Sequence, residues 1–252
     1  MQRHSGERAF TLIELLVVMT LIAVLVGIGV PAFTAIMESA RKTNAKNEEQ
    51  QIVAAVNAYY TDYGKYPVDV AAGGKDAYFG LGTVPSTSRS YGNNDWLFDV
   101  LRSNTSSTKT STNTCPGTNL VTCLNPRAIV FIQPPASKSS NPGRSGVDVV
   151  PTSPTFGVWF DPWGSPYNIA IDENYNNIVC APNYTDLATT YVTPTPPDGS
   201  GDVGVRIGVI SWSFGKNGAL GGGPVAPPPP AFTAEGGSAG IFSASGDVIS
   251  WQ

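Results

Sequence analysis

The sequence predicts an α+β fold. A long N-terminal α-helix, one half membrane-spanning and one half amphipathic, packs on a small antiparallel β-sheet head with long loop insertions. The prediction rests on three features: a near-continuous apolar run over residues 10–33, a helical stripe of apolar and tyrosine side chains that carries it on to residue 63, and short apolar segments beyond, punctuated by Pro, Gly and Ser. Period-3.6 spacing marks helix, and short β-rich runs between turn residues mark strands.

The apolar run is long enough to cross a hydrocarbon core of roughly 30 Å. Only Thr11, Glu14 and Thr20 interrupt it before Gly27. An ionised carboxylate at bilayer depth costs at least ~2.5–3.5 kcal/mol, so Glu14 calls for a partner. The nearest cation would be a new amino terminus created by a cut just ahead of Phe10. Two simpler readings compete. One is a secretory signal peptide with Arg3 and Arg8 as its basic region and a cleavage-like Val30-Pro31-Ala32; the run exceeds the 7–15 apolar residues usual there, and an acid inside it is foreign to that pattern. The other is a plain anchor in which Glu14 snorkels towards the headgroups. Arg41, Lys42 and Lys46 after the run compete with Arg3 and Arg8 in setting orientation.

Past residue 33 the helical pattern continues. Ile52, Val56, Tyr59, Tyr60 and Tyr63 recur at helical spacing, with Glu48, Glu49, Asn57 and Asp62 on other faces. Gly64 suits the position after a helix, and Pro67 blocks any extension. One helix over residues 10–63 would be ~80 Å long, bent near Pro31.

The remainder reads as one head, residues 64–252, with insertions at about 103–125, 134–155, 193–202 and 221–245. Residues 95–101 (DWLFDVL) form a short helix or a buried strand. Strands are expected over residues 128–132, 156–160, 167–171, 178–181, 205–214 and 248–251. Asp172-Glu173-Asn174-Tyr175-Asn176 imitates the start of an EF-hand loop. It lacks the Gly and the Glu such a loop needs, so a hairpin turn between two of these strands explains it better.

Composition narrows the function classes. Charged residues make up 13% of the chain, about half the usual share, and the formal charge is −4. No basic aromatic patch appears, so nucleic acid is not an expected partner. The lone His4 and the absence of a C-x-x-C leave zinc chemistry and His-based catalysis almost nothing to work with. Cys115 and Cys123 flank a short Pro/Gly loop and are placed to close a disulfide in an oxidising compartment, whereas Cys180 sits in an apolar run.

Residues 8–18 (RAFTLIELLVV) resemble the class III signal of type IV pilins and type II secretion pseudopilins. The resemblance implies that residues 1–9 are a leader, that a prepilin peptidase cuts between Ala9 and Phe10, and that the new Phe10 amine is methylated. It makes Glu14 the fifth mature residue and Pro31 the helix-kinking proline. The family usually has Gly before the cut; Ala9 keeps the small size, with slower processing expected. Physics supports the same arrangement, because a neighbour's Phe10 ammonium would neutralise Glu14 in a low-dielectric core and fix the register of packed helices.

Residues 161–167 (DPWGSPY) resemble a segment of the major, G-type pseudopilin, and Asn125-Pro126-Arg127 fits that branch more loosely. The tyrosine-rich residues 57–67 also resemble the helix exit of those proteins. The resemblance implies a non-enzymatic subunit held in the bacterial inner membrane by a single pass, N-terminus cytoplasmic and head periplasmic. Such subunits form a homopolymer through their N-terminal helices, with minor pseudopilins and an inner-membrane assembly platform as further partners. It also implies calcium held by C-terminal loops. Here Asn217 stands where one ligand Asp is expected, and Asp247 is the one acid kept of a later pair. With two carboxylates fewer, any calcium site is expected to be weak. Alternatives are a surface type IV pilin serving adhesion, motility or DNA uptake, and a membrane-anchored monomeric binding module.

Overall fold

A computed structural model describes residues 11–69, 76–80, 88–138, 144–180, 204–217 and 248–250. Helix α1 (Leu12–Tyr63) runs without interruption through Pro31, whose side chain lies outside the description. The chain divides into two compact units, one ending at Arg41 and one beginning at Lys42. In the first, the described large apolar side chains between Leu12 and Met37 face the surroundings, with 82% exposure at Leu12 and 42% at Met37.

The second unit begins with the rest of α1. Ile52, Val56 and Tyr59 are fully buried and Ala55 nearly so, the i, i+3, i+4, i+7 face of the expected stripe. Tyr63 is half-buried, while Tyr60 points aside to Tyr66, ring centroids 4.7 Å apart. Gly64 ends the helix at φ +68, its N–H donating to the Tyr60 carbonyl, an αL cap that Gly adopts without a Cβ penalty.

Against this face lies a five-stranded sheet in the order β2-β1-β5-β8-β9. Its strands are β1 (Asp76–Phe79), β2 (Ser88–Ser90), β5 (Asn168–Ile171), β8 (Val209–Ser213) and β9 (Val248–Ile249). The pairing is antiparallel except at the β1/β2 edge, which is parallel. The two-stranded pairs β3 (Gly146–Val147) with β4 (Trp159–Phe160), and β6 (Val179–Cys180) with β7 (Gly204–Val205), complete the strands. Residues 95–101 resolve as helix α2 (Asp95–Leu101), and α3 (Leu120–Leu124) sits inside the first expected insertion. Ile52, Val56 and Tyr59 share one core with Phe98, Trp159, Tyr167, Ile169 and Val209. Each such side chain removed from water contributes roughly 1.5–3 kcal/mol.

Several expectations need correction. Residues 128–132 form no strand: Ala128 turns at φ +51, and the buried Asn125 amide ties back to the Val100 and Ile129 carbonyls. The strands expected at 156–160 and 205–214 are shorter or split. Residues 172–177 do not close a hairpin, because β5 pairs with β1 and β8 while β6 pairs with β7. Instead the Asp172 carboxylate accepts the N–H groups of Asn176 and Asn177. Strands β1 and β2 were not anticipated.

Candidate functional site

The chemistry-bearing feature of the first unit is the start of α1. Thr11 caps the helix and Glu14 answers it. The Thr11 N–H and hydroxyl donate to Glu14 Oε2 at 2.9 and 2.8 Å, and the Glu14 N–H donates to Thr11 Oγ1 at 3.3 Å. This reciprocal pair is a capping box, with Glu14 at the third helical position. The acid is therefore not unpartnered within one chain, a correction to its reading as a bare defect. The T-x-x-E signal was present in the sequence, overshadowed by the apolar run around it. Beyond Thr11, the surface that follows Glu14 is apolar: Leu15, Leu16, Val17 and Val18 are each about half exposed. Ala9 and Phe10 lie outside the described residues. Among the described residues no helix is long and apolar enough to cross a membrane; the unbroken run of described side chains ends at Gly27 and resumes at Val30 and Phe33.

In the head, residues 161–167 form a tight turn organised by one buried carboxylate. Asp161 Oδ1 accepts the N–H groups of Trp163, Gly164 and Ser165 at 2.9, 2.7 and 2.8 Å, and Oδ2 accepts the Ser213 hydroxyl at 2.5 Å. Gly164 takes φ +106, where a side chain would be strained. Burial pushes the Asp161 pKa up against these hydrogen bonds. The turn sets Trp159 and Tyr167 edge to face, centroids 5.7 Å apart. Buried Asn94 clamps both arms of the turn, donating to the Trp159 and Tyr167 carbonyls at 2.9 Å and accepting the Trp159 N–H at 3.0 Å. Sequence reasoning missed Asn94, which reads as an ordinary helix cap yet caps nothing with its side chain.

Beside this turn lie two acids of α1. Glu48 accepts the Tyr167 hydroxyl. Glu49 is fully buried, and neither carboxylate oxygen has a hydrogen-bond partner. Burial drives its pKa well above the ordinary range; the Lys46 ammonium and the Ser213 N–H oppose this without supplying a bond of normal geometry. Lys46 itself donates to the Ile249 carbonyl of β9 at 2.6 Å.

The structure joins Cys115 and Cys123 in a disulfide, Cα atoms 6.0 Å apart. Asn217 ends a short 3₁₀ turn (Gly215–Asn217) after β8, its side chain outside the description, as is Asp247. Calcium requires six to eight oxygens with several charges. The described carboxylate next to this turn, Asp161, already holds Ser213 and three N–H groups, and no described group of three or more His, Cys, Asp or Glu residues is arranged to hold a metal. The described residues thus do not make a calcium set, and no function is derived through one.

Comparison with known proteins agrees with the N-terminal geometry. The prokaryotic N-terminal methylation motif matches residues 4–30. Fimbrial protein EcpC of Eikenella corrodens is 37% identical over 68 residues, covering 27% of this chain. The matched part is 44% of that relative, so the chain spans less than half its length. No solved structure matches. A methylation motif on a capped apolar helix, whose second half packs on a small sheet, makes the N-terminal part of this chain similar to type IV pilin-like structural subunits.

Proposed function

We propose that the chain is the repeating subunit of a fibre built through its N-terminal helices, and that the fibre is a type II secretion pseudopilus acting as a piston or plug for protein export. The observation that carries the fibre reading is the exposure of the described large apolar side chains of α1 between Leu12 and Met37, interrupted among the described residues only by Glu14 and small or hydroxyl side chains: so large an apolar surface calls for a covering partner. A bilayer shelters it before assembly and neighbouring copies shelter it afterwards. In the fibre, Glu14 exchanges its Thr11 partner for the Phe10 ammonium of the next subunit, after removal of residues 1–9 between Ala9 and Phe10. The secretion branch is supported by the turn at residues 161–167. The fimbrial relative supports a second reading, a surface pilus with the same subunit chemistry.

Assembly tests this reading. Glu14→Leu leaves the apolar run intact, so the variant is expected in the membrane fraction at wild-type level but absent from sheared or purified fibres. Normal polymerisation of Glu14→Leu would show that the acid does not set the register.

A further inference from the structure

Asp69 lies just past the exit of α1, almost fully buried, inside a ring of donors from one distant loop. Its carboxylate accepts the Ser111 hydroxyl at 2.8 Å, the Thr112 N–H at 2.6 Å, the Thr112 hydroxyl at 3.2 Å, the Asn113 N–H at 3.2 Å and the Thr114 N–H at 2.7 Å. Its backbone carbonyl accepts the Asn113 amide and the Tyr91 hydroxyl. Burial acts to raise the pKa, but the N–H groups of Thr114 and Thr112 and the Ser111 hydroxyl outweigh it and hold the acid well below the ordinary range.

The loop making this ring has little else to hold it. Thr112, Asn113, Thr114, Pro116, Gly117 and Thr118 are exposed, so almost no apolar burial fixes them. Its far end is closed by the Thr110/Asn119 bridge and by Ser111 N–H to the Thr118 carbonyl. Its one covalent tether runs from Cys115 to Cys123 on α3. That helix is firmly seated: Leu120, Val121 and Leu124 are buried, and the Tyr59 hydroxyl of α1 donates to the Leu124 carbonyl. Both cysteines are only half-buried, within reach of a thiol.

We propose that the Cys115–Cys123 disulfide is a redox latch, whose closure clamps loop 111–118 around Asp69 and thereby fixes the exit of the long helix. Opening needs a dithiol as co-reactant. One of its thiolates attacks a cysteine sulfur and breaks the S–S bond to give a mixed disulfide. Its second thiolate then displaces the remaining cysteine. The two cysteines gain two electrons and two protons, and the dithiol becomes a disulfide. The latch stays open in a reducing compartment and closes in an oxidising one, so clamping of the helix exit would follow export of the head. It stands whether the fibre is a pseudopilus or a surface pilus.

Amide hydrogen exchange on the full chain in detergent, oxidised and after reduction with a small dithiol, decides this. Complete reduction is verified by the added mass of two hydrogens. Exchange at residues 112–114 is expected to accelerate about tenfold or more on reduction, with β5 and β8 changing less than about twofold. Asp69→Asn with the disulfide intact is expected to accelerate the same three amides. Unchanged protection at 112–114 after complete reduction would overturn the latch. Equal acceleration throughout β5 and β8 would overturn it too, by showing a global staple. Protection retained in Asp69→Asn would remove Asp69 as what the loop holds. Should that variant not fold, reduction of the unmodified chain still decides.

Discussion

Glu49 lies on the buried face of α1 with Lys46, Glu48, Asp161 and Tyr167 around it and no donor bonded to either oxygen. A carboxylate so placed keeps its proton in the folded state more tightly than in the unfolded chain. The folded pKa is raised above 4.5, so the stability linked to the bound proton is complete below that value and is lost as pH rises towards the folded pKa. Glu49→Leu removes the desolvation penalty and is expected to stabilise the head by about 1–3 kcal/mol at neutral pH. The gain should shrink as pH falls to about 4.5, and thermal melts of both proteins between pH 4 and 8 check it. A gain that stayed constant with pH would mean packing, not charge, sets the difference. Asp161 is the opposite case, a buried acid with every donor supplied. Asp161→Ala orphans three N–H groups and the Ser213 hydroxyl, and is expected to cost about 3 kcal/mol or more, seen as a lower denaturation midpoint.

At the scale of elements, α1 was legible almost throughout, because its signals are local: the apolar run, the Ile52/Val56/Tyr59 face, and Gly64 before Pro67. The turn at 161–167 was equally legible, since Asp, Pro and Gly at fixed offsets define it. Strands β1 and β2 were not. Asp76–Phe79 is four residues buried on both faces, so it shows neither alternation nor length, and its existence depends on pairing with β5, far along the chain. Residues 128–132 carry strand composition, but Asn125 commits their backbone to a turn. The insertion at 103–125 looked like loop because its order comes from polar partners elsewhere: Asp69 for residues 111–114, and Asp95 and Asp99 for Lys109. Asp69 itself carried no signal, for every donor to its carboxylate lies more than forty residues away.

For the whole molecule, the proposed fibre would set the mildly acidic, charge-poor head in solvent and the apolar helix half in its core. The resemblance to pilin-type subunits was readable because its signal is continuous in sequence: a small residue before Phe10 and an acid at a fixed offset on an apolar run. The branch was less readable, since it rests on a short head motif and the matched relative shares less than half its length with this chain. The central claim is that Phe10 becomes the first residue of an assembling subunit. Intact-mass measurement of the protein purified from cells containing a prepilin peptidase tests it most directly. The account predicts a chain that begins at Phe10 and carries one added methyl group. A chain still beginning at Met1, or one cut after Ala32, would contradict it.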